Sequence, residues 1–281
     1  MNKENYLNFY REKFKNEKIK NTGDVGNKIK KIRNESYKSI EENYSEDEEN
    51  MLHHILLSTY SSYVVMIEER NRIKNYEYMD FSRRMGELWE PFCKICWEYS
   101  VNELEIIEPI KFSDAVISMR SQTSEVIDDL NIEDAGKAKI LEQFNNLLSI
   151  ISSGAVNMKS DLHFNFNDFS YNIDFKNSFN SNEKGNVNRL LAVGKIYNLI
   201  NDDYKNYIFV RSNDNNHYLD TLKKSNIWEV YTGDECYEKI RQITGFNLKE
   251  WIVLNINWLD DLEKDVSEYL LSQNLDKYIQ W

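Results

Sequence analysis

Asp174 and Lys176 stand two residues apart in a run where Phe169, Tyr171, Ile173 and Phe175 alternate with Ser170, Asn172, Asp174 and Lys176. A period of two is a strand signature, and it sends the acid and the lysine to one face and the apolar side chains to the other. A carboxylate and an ammonium side by side are ill suited to an apolar sheet face; they belong at an edge or in a polar cleft. Thirteen residues upstream, Asp161 opens a further stretch that reads as strand or turn, and a hairpin between the two stretches brings Asp161 beside Asp174. Two converging carboxylates repel one another and favour a cation. Magnesium takes oxygen ligands in octahedral geometry and keeps several waters. Such an ion binds a phosphate oxygen and acidifies water, while a neighbouring lysine orients or deprotonates that water and offsets charge growing on phosphorus. The three residue types together point to phosphodiester hydrolysis.

The elements that must position these residues follow from periodicity. Residues 1–50 form a charged arm or helical extension, basic around Lys28, Lys30, Lys31 and Arg33 and acidic over residues 41–49. A helical region over 51–153 packs on the core: one helix over 51–75, one over 81–99 with Ser82 as N-cap and Pro91 as a kink or restart, and one over 121–152 broken near Gly136. The strand signature follows, then an Asn- and Ser-rich loop over 180–186, a helix over 188–200, short strands over 207–210 and 227–231, and a helix over 235–243 that stops at Gly245. These belong to a catalytic core over 154–245. Residues 246–281 form a C-terminal helical segment, and 51–281 are expected to make one compact domain. The fold class is α/β, a mixed central sheet flanked by helices with a largely helical N-terminal half.

The acid-x-lysine arrangement with a preceding aspartate resembles the PD-(D/E)XK signature of restriction endonucleases and related nucleases, here Asp161 followed by Asp174-Phe175-Lys176, with Ser160 where the name-giving proline would stand. Residues 174–197 and the stretch around Trp228 to Trp251 resemble a strand-loop-helix and a late strand and helix of type II restriction enzymes. The resemblance implies a restriction-endonuclease-like core in which Asp161, Asp174 and the Phe175 carbonyl hold Mg2+ and Lys176 activates water. It also implies a glutamate on an early helix facing the metal, with Glu87 the first choice and Glu90 the second; the competing reading pairs both with Arg83, Arg84 or Lys94 on the surface. The expected activity is cleavage of double-stranded DNA to 5′-phosphate and 3′-hydroxyl ends by a homodimer, with a cognate DNA methyltransferase as functional partner. Lys184, Asn188 and Arg189, in the polar stretch after the lysine, are candidates for DNA contact. The rival readings are a less specific nuclease of the same kind and a non-enzymatic interaction protein.

Composition sets limits on all three. A formal net charge of −12 runs against the basic surface that phosphate contacts need, so any DNA-binding surface must be local. No apolar stretch reaches the length of a membrane span, the N-terminus lacks the apolar segment of a secretory signal, and three cysteines suit a reducing cytoplasm. Cys93 and Cys96 have no second pair to complete a zinc site, and His53 and His54 point apart on a helix. The glycine-rich phosphate loops and the nucleophile elbow of α/β-hydrolases do not occur.

Overall fold

The computed structural model describes residues 2–15, 19, 21–152, 156–180, 183–279 and 281. The elements run α1 (Lys3–Phe14), α2 (Thr22–Asn43), α3 (Glu48–Ile73), α4 (Tyr78–Glu98), β1 (Glu105–Ile106), α5 (Phe112–Asp128), α6 (Asp134–Ser152), β2 (Leu162–Phe166), β3 (Phe169–Lys176), α7 (Lys184–Ile200), β4 (Tyr204–Val210), α8 (His217–Lys224), β5 (Glu229–Thr232), α9 (Asp234–Thr244), α10 (Leu248–Asn255), α11 (Trp258–Asp261), α12 (Lys264–Ser272) and a closing 3-10 turn, Asp276–Tyr278. They divide into a helical unit, Met1–Glu103 with Asp234–Trp281, and a sheet unit, Leu104–Gly233. This partition differs from the four segments expected from sequence, because the helices after β5 join the N-terminal helices.

In the helical unit the centre is α3, whose residues from Leu52 to Glu68 are almost all buried. Helices α1 and α2 do not form a free arm. Helix α1 places Tyr6, Leu7, Tyr10 and Phe14 inward at three- and four-residue spacing, and α2 does the same with Val25, Ile29, Ile32, Ser36 and Ile40. Ser58 of α3 ties both together, bonding Tyr10 Oη and Ser36 Oγ at 2.8 Å each. Helix α4 starts at Tyr78, ahead of the expected Ser82 cap, and runs through Pro91 without a break in its helical assignment. Cys93, Cys96 and Cys236 are free and buried.

The sheet unit has five strands in the order β1-β2-β3-β4-β5. Pairing is antiparallel between β1, β2 and β3, and parallel from β3 through β4 to β5. Strands β2 and β3 form a tight hairpin: Phe166 pairs with Phe169, and Asn167 and Asp168 between them both have positive φ, 48° and 65°. A two-residue loop with both φ positive is a type I′ turn, whose twist matches the strands it joins. The parallel pairs require crossovers, supplied by α7 and α8. Val187 and Leu190 of α7 and Leu219 and Leu222 of α8 pack with Ile208, Val210 and Trp228. Val193, Ile196 and Tyr197 of α7 pack with Ala115 and Met119 of α5 and Leu148 of α6. Gly194 permits this seat: a Cβ there would lie 2.5 Å from Trp228 Nε1, which donates to the Leu190 carbonyl at 2.8 Å. Two elements were not anticipated, the two-residue β1 and helix α8. The third expected helix is two, α5 and α6, divided before Asp134 so that Gly136 lies inside α6. No helix among the described residues is long and apolar enough to cross a membrane.

Candidate active site

Strand β3 has the alternation its sequence requires. Tyr171, Ile173 and Phe175 point to one face, where Phe164 stacks on Tyr171 at 4.7 Å and Phe175 meets Phe209 edge-on at 5.4 Å. Asn172, Asp174 and Lys176 occupy the other face, which carries Ile208 and Val210 of the α7–α8 core, the cross-strand partners of Asp174 and Lys176. Where this polar row is deepest, Asn172 donates to Asn206 Oδ1 at 3.0 Å and Asn206 donates to Asn198 Oδ1 at 2.6 Å, while Asn172 Oδ1 is buried without a partner among the described residues.

Asp161 lies one residue before β2. Its N–H donates to the Ile173 carbonyl at 3.0 Å, and the register that pairs Leu162 with Ile173 carries on to set Asp161 opposite Asp174. The Asp161 carboxylate accepts the Phe175 N–H at Oδ2, 2.7 Å away. Asp174 is 1% exposed. It pairs with Lys176 through Oδ1 and accepts from Arg189 Nη2 at Oδ2, at 3.0 Å. The Lys176 ammonium also donates to the Phe175 carbonyl at 3.1 Å. Both acids, the carbonyl and the lysine thus meet at the carboxyl end of β3, the end of parallel strands where α/β sheets place their ligands.

The segment leading into Asp161 is held from behind. His163 Nε2 accepts the Ser160 N–H at 3.1 Å, the His163 ring lies 5.6 Å from that of Tyr197, and Tyr197 donates to the Met158 carbonyl at 3.3 Å. Burial raises the Tyr197 phenol well above its ordinary value, which keeps it a proton donor at neutral pH. His163 thus positions the segment that carries Asp161.

The donors that converge are all oxygens, two carboxylates and a carbonyl, the set a magnesium ion takes when waters and phosphate oxygens complete its shell. The Lys176 ammonium bridges two of them, Asp174 and the Phe175 carbonyl, as a cation would. Ser160 Oγ and Asn177 Oδ1, one residue along the chain from Asp161 and Lys176, are buried without a hydrogen-bond partner among the described residues. These features fit the ion. They also bound it: among the described residues no three His, Cys, Asp or Glu side chains gather to hold a metal, so protein carboxylates supply two ligands at most.

The remaining expected residues have other partners than those expected. Glu87 and Glu90 belong to the helical unit, on α4, and follow the local-pair alternative: Glu87 meets Arg84 at 2.7 Å and Arg83 at 3.7 Å, and Glu90 meets Lys94 at 2.9 Å. Lys184 and Asn188 are exposed on one side of the first turns of α7. Arg189, expected to reach DNA, turns inward to Asp174, and its Nη2 also donates to Asn186 at 3.4 Å. The helix after the lysine was legible, but not the rotation that sends Arg189 toward the acid.

Comparisons of the chain with protein-family models, with curated proteins and with solved structures return no match. The functional reading therefore rests on the chemistry of the cluster.

Proposed function

We propose that the chain is a Mg2+-dependent endonuclease of double-stranded DNA, of the type II restriction kind, with a restriction-endonuclease-like core. One observation carries the reading: Asp161 and Asp174 lie opposite each other across a hairpin, with the Phe175 carbonyl and the Lys176 ammonium at the same strand end. The order of an antiparallel hairpin, a crossover helix and a parallel strand supports it. Asp161, Asp174 and the Phe175 carbonyl would hold the ion. When bound, magnesium supplies Lewis-acid polarisation of the phosphoryl group and acidifies water.

The chain's own residues do the rest. Lys176 leaves its ion pair with Asp174 and, as an ammonium, orients the attacking water and offsets the charge growing on phosphorus, while the water's proton passes to solvent. Water oxygen bonds to phosphorus, and the bond from phosphorus to the 3′ oxygen breaks. The products are a 5′-phosphate and a 3′-hydroxyl that takes up a proton. Arg189 stays on Asp174 and fixes the carboxylate. Lys184 and Asn188, exposed beside the site, contact the duplex. A two-fold dimer cuts both strands most simply, and a cognate methyltransferase protects host DNA in the cytoplasm.

The test is incubation of unmethylated phage DNA with the protein and Mg2+. Discrete, reproducible fragments are expected, and Asp174→Ala should abolish them. A smear would favour the less specific nuclease. One observation favours a non-enzymatic cluster: Asp174 is already neutralised by two cations. That alternative wins if the wild type neither cuts DNA nor binds Ca2+ or Mg2+ in calorimetry.

A further inference from the structure

The helical unit has a polar cavity of about 130 Å³ in which positive charge is not balanced. Arg70 of α3, Arg83 and Arg84 of α4, Lys74 and Tyr76 between these helices, and Thr22 at the start of α2 all line it. Its carboxylates are accounted for. Asp80 pairs with Arg83 at 3.5 Å and Lys74 at 4.0 Å, and Glu87 pairs with Arg84 at 2.7 Å. Four cations against two carboxylates leave an excess of two positive charges, in a chain whose net charge is −12. Arg70 has no ion pair among the described residues, and its Nε and that of Arg84 are buried without a hydrogen-bond partner.

Tyr76 is the second, independent sign. It is 7% exposed, and its hydroxyl oxygen faces the Arg70 and Arg84 guanidinium groups, both donors, so the hydroxyl proton has no acceptor. Its position is fixed on three sides. Its N–H donates to Asn71 Oδ1 at 3.0 Å, its carbonyl accepts from Tyr269 at 2.9 Å, and its ring meets Phe81 edge-on at 5.1 Å. A buried hydroxyl proton and two buried guanidinium Nε–H groups that lack an acceptor around one cavity cost free energy unless an acceptor joins them. Burial, and then the charge of Arg84, push the Arg70 guanidinium below its ordinary value, and the opposing pull of Tyr76 and Glu87 does not make this up. The 22-residue α2 adds the positive end of its dipole at Thr22. Asp24 in the same turn is exposed and bonded by Asn21.

We propose that this cavity binds a compact tetrahedral dianion, inorganic phosphate or the terminal phosphate of a monoester. Arg70, Arg84 and Tyr76 donate to its oxygens and Lys74 adds charge at the mouth. The cavity admits one such group and not a base or a peptide segment. The site is built wholly within the helical unit and stands whether or not the sheet unit cuts DNA.

Calorimetric titration of the full chain with inorganic phosphate and with sulfate tests it. Saturable binding is expected. Arg70→Gln should weaken it roughly tenfold or more, as loss of a charge-assisted bond does. Tyr76→Phe should weaken it a few-fold, as loss of one neutral hydrogen bond does. Asp174→Ala should bind phosphate as the wild type does, which separates this site from the sheet unit. Competition by a 5′-phosphorylated oligonucleotide but not its 5′-hydroxyl twin would mark a nucleic-acid end as the source; competition by a nucleoside monophosphate alone would mark a small metabolite. Absence of binding by either anion, or binding unchanged in both Arg70→Gln and Tyr76→Phe, overturns the proposal. Should Arg70→Gln fail to fold, Tyr76→Phe decides.

Discussion

Glu68 in the helical unit and Asp174 in the sheet unit are both carboxylates sealed from solvent. Their cations are exposed to similar degrees: the side chain of Arg11 is 24% exposed, those of Lys176 and Arg189 are 23% and 28%. The difference lies in how the oxygens are used. Glu68 accepts two bonds from the Arg11 fork, at 2.6 and 3.2 Å, and a third from the Glu263 N–H at 2.8 Å. Arg11 in turn donates to the Asp261 carbonyl at 2.6 Å. Burial drives the Glu68 carboxyl above its ordinary value and Arg11 draws it back, so the charge depends on its partner. That is a closed joint between α1, α3 and the chain entering α12. Asp174 instead holds a flexible lysine two residues along its own strand, beside a second acid and the Phe175 carbonyl. A lysine so placed can be displaced without unlinking any element. A reaction centre needs this, and a joint does not.

Substitutions sharpen the contrast. The largest effect is expected from Asp174→Ala, which should cut DNA cleavage by at least about a thousandfold, roughly 4 kcal/mol of transition-state stabilisation, with little loss of fold. Activity equal to wild type would erase the distinction. Arg11→Ala should do the reverse, destabilising the helical unit by about 3–5 kcal/mol in denaturant melts because it strands a buried charge. Replacing both partners, Arg11→Met with Glu68→Leu, should recover most of that loss. Gly194→Ala tests the seat of α7, which delivers Arg189 to Asp174. The added methyl meets Trp228 and Ile227 within 2.7 Å, and overpacking of this kind costs about 1–3 kcal/mol.

The smallest effect concerns pH. Burial, then nearby positive charge including that of His53, lowers the His54 imidazole from its ordinary 6.5. The folded state therefore prefers neutral His54, and its contribution is present above pH 6.5 and lost as pH falls through the lowered value. A melting temperature that drops over this range, with a shallower slope in His54→Gln, is the expected result.

The parts of the site that lie on one strand were legible in the sequence. The alternation from Phe169 to Lys176 fixes which side chains share a face, and local spacing also placed Asp161 within reach of a hairpin. Residues joined over long sequence distances were not legible. Arg11 and Glu68 are 57 residues apart, and no pattern in α1 announces the pairing. The burial of α1 and α2 was masked by their many lysines, since apolar stripes on such helices are narrow. The choice between a metal-facing and a paired Glu87 could not be made from spacing, because residues three apart on a helix serve both.

The type I′ turn at Asn167 and Asp168 acts as the ruler of the candidate site. Side chains on a strand change sides at every residue, so one amino acid added to or taken from that turn would slide β2 against β3 by a single step. Asp161 would then face the aromatic layer while Asp174 kept its place, and the two acids would lie on opposite sides of the sheet. A two-residue corner at the far end of the hairpin thus keeps the two carboxylates in phase.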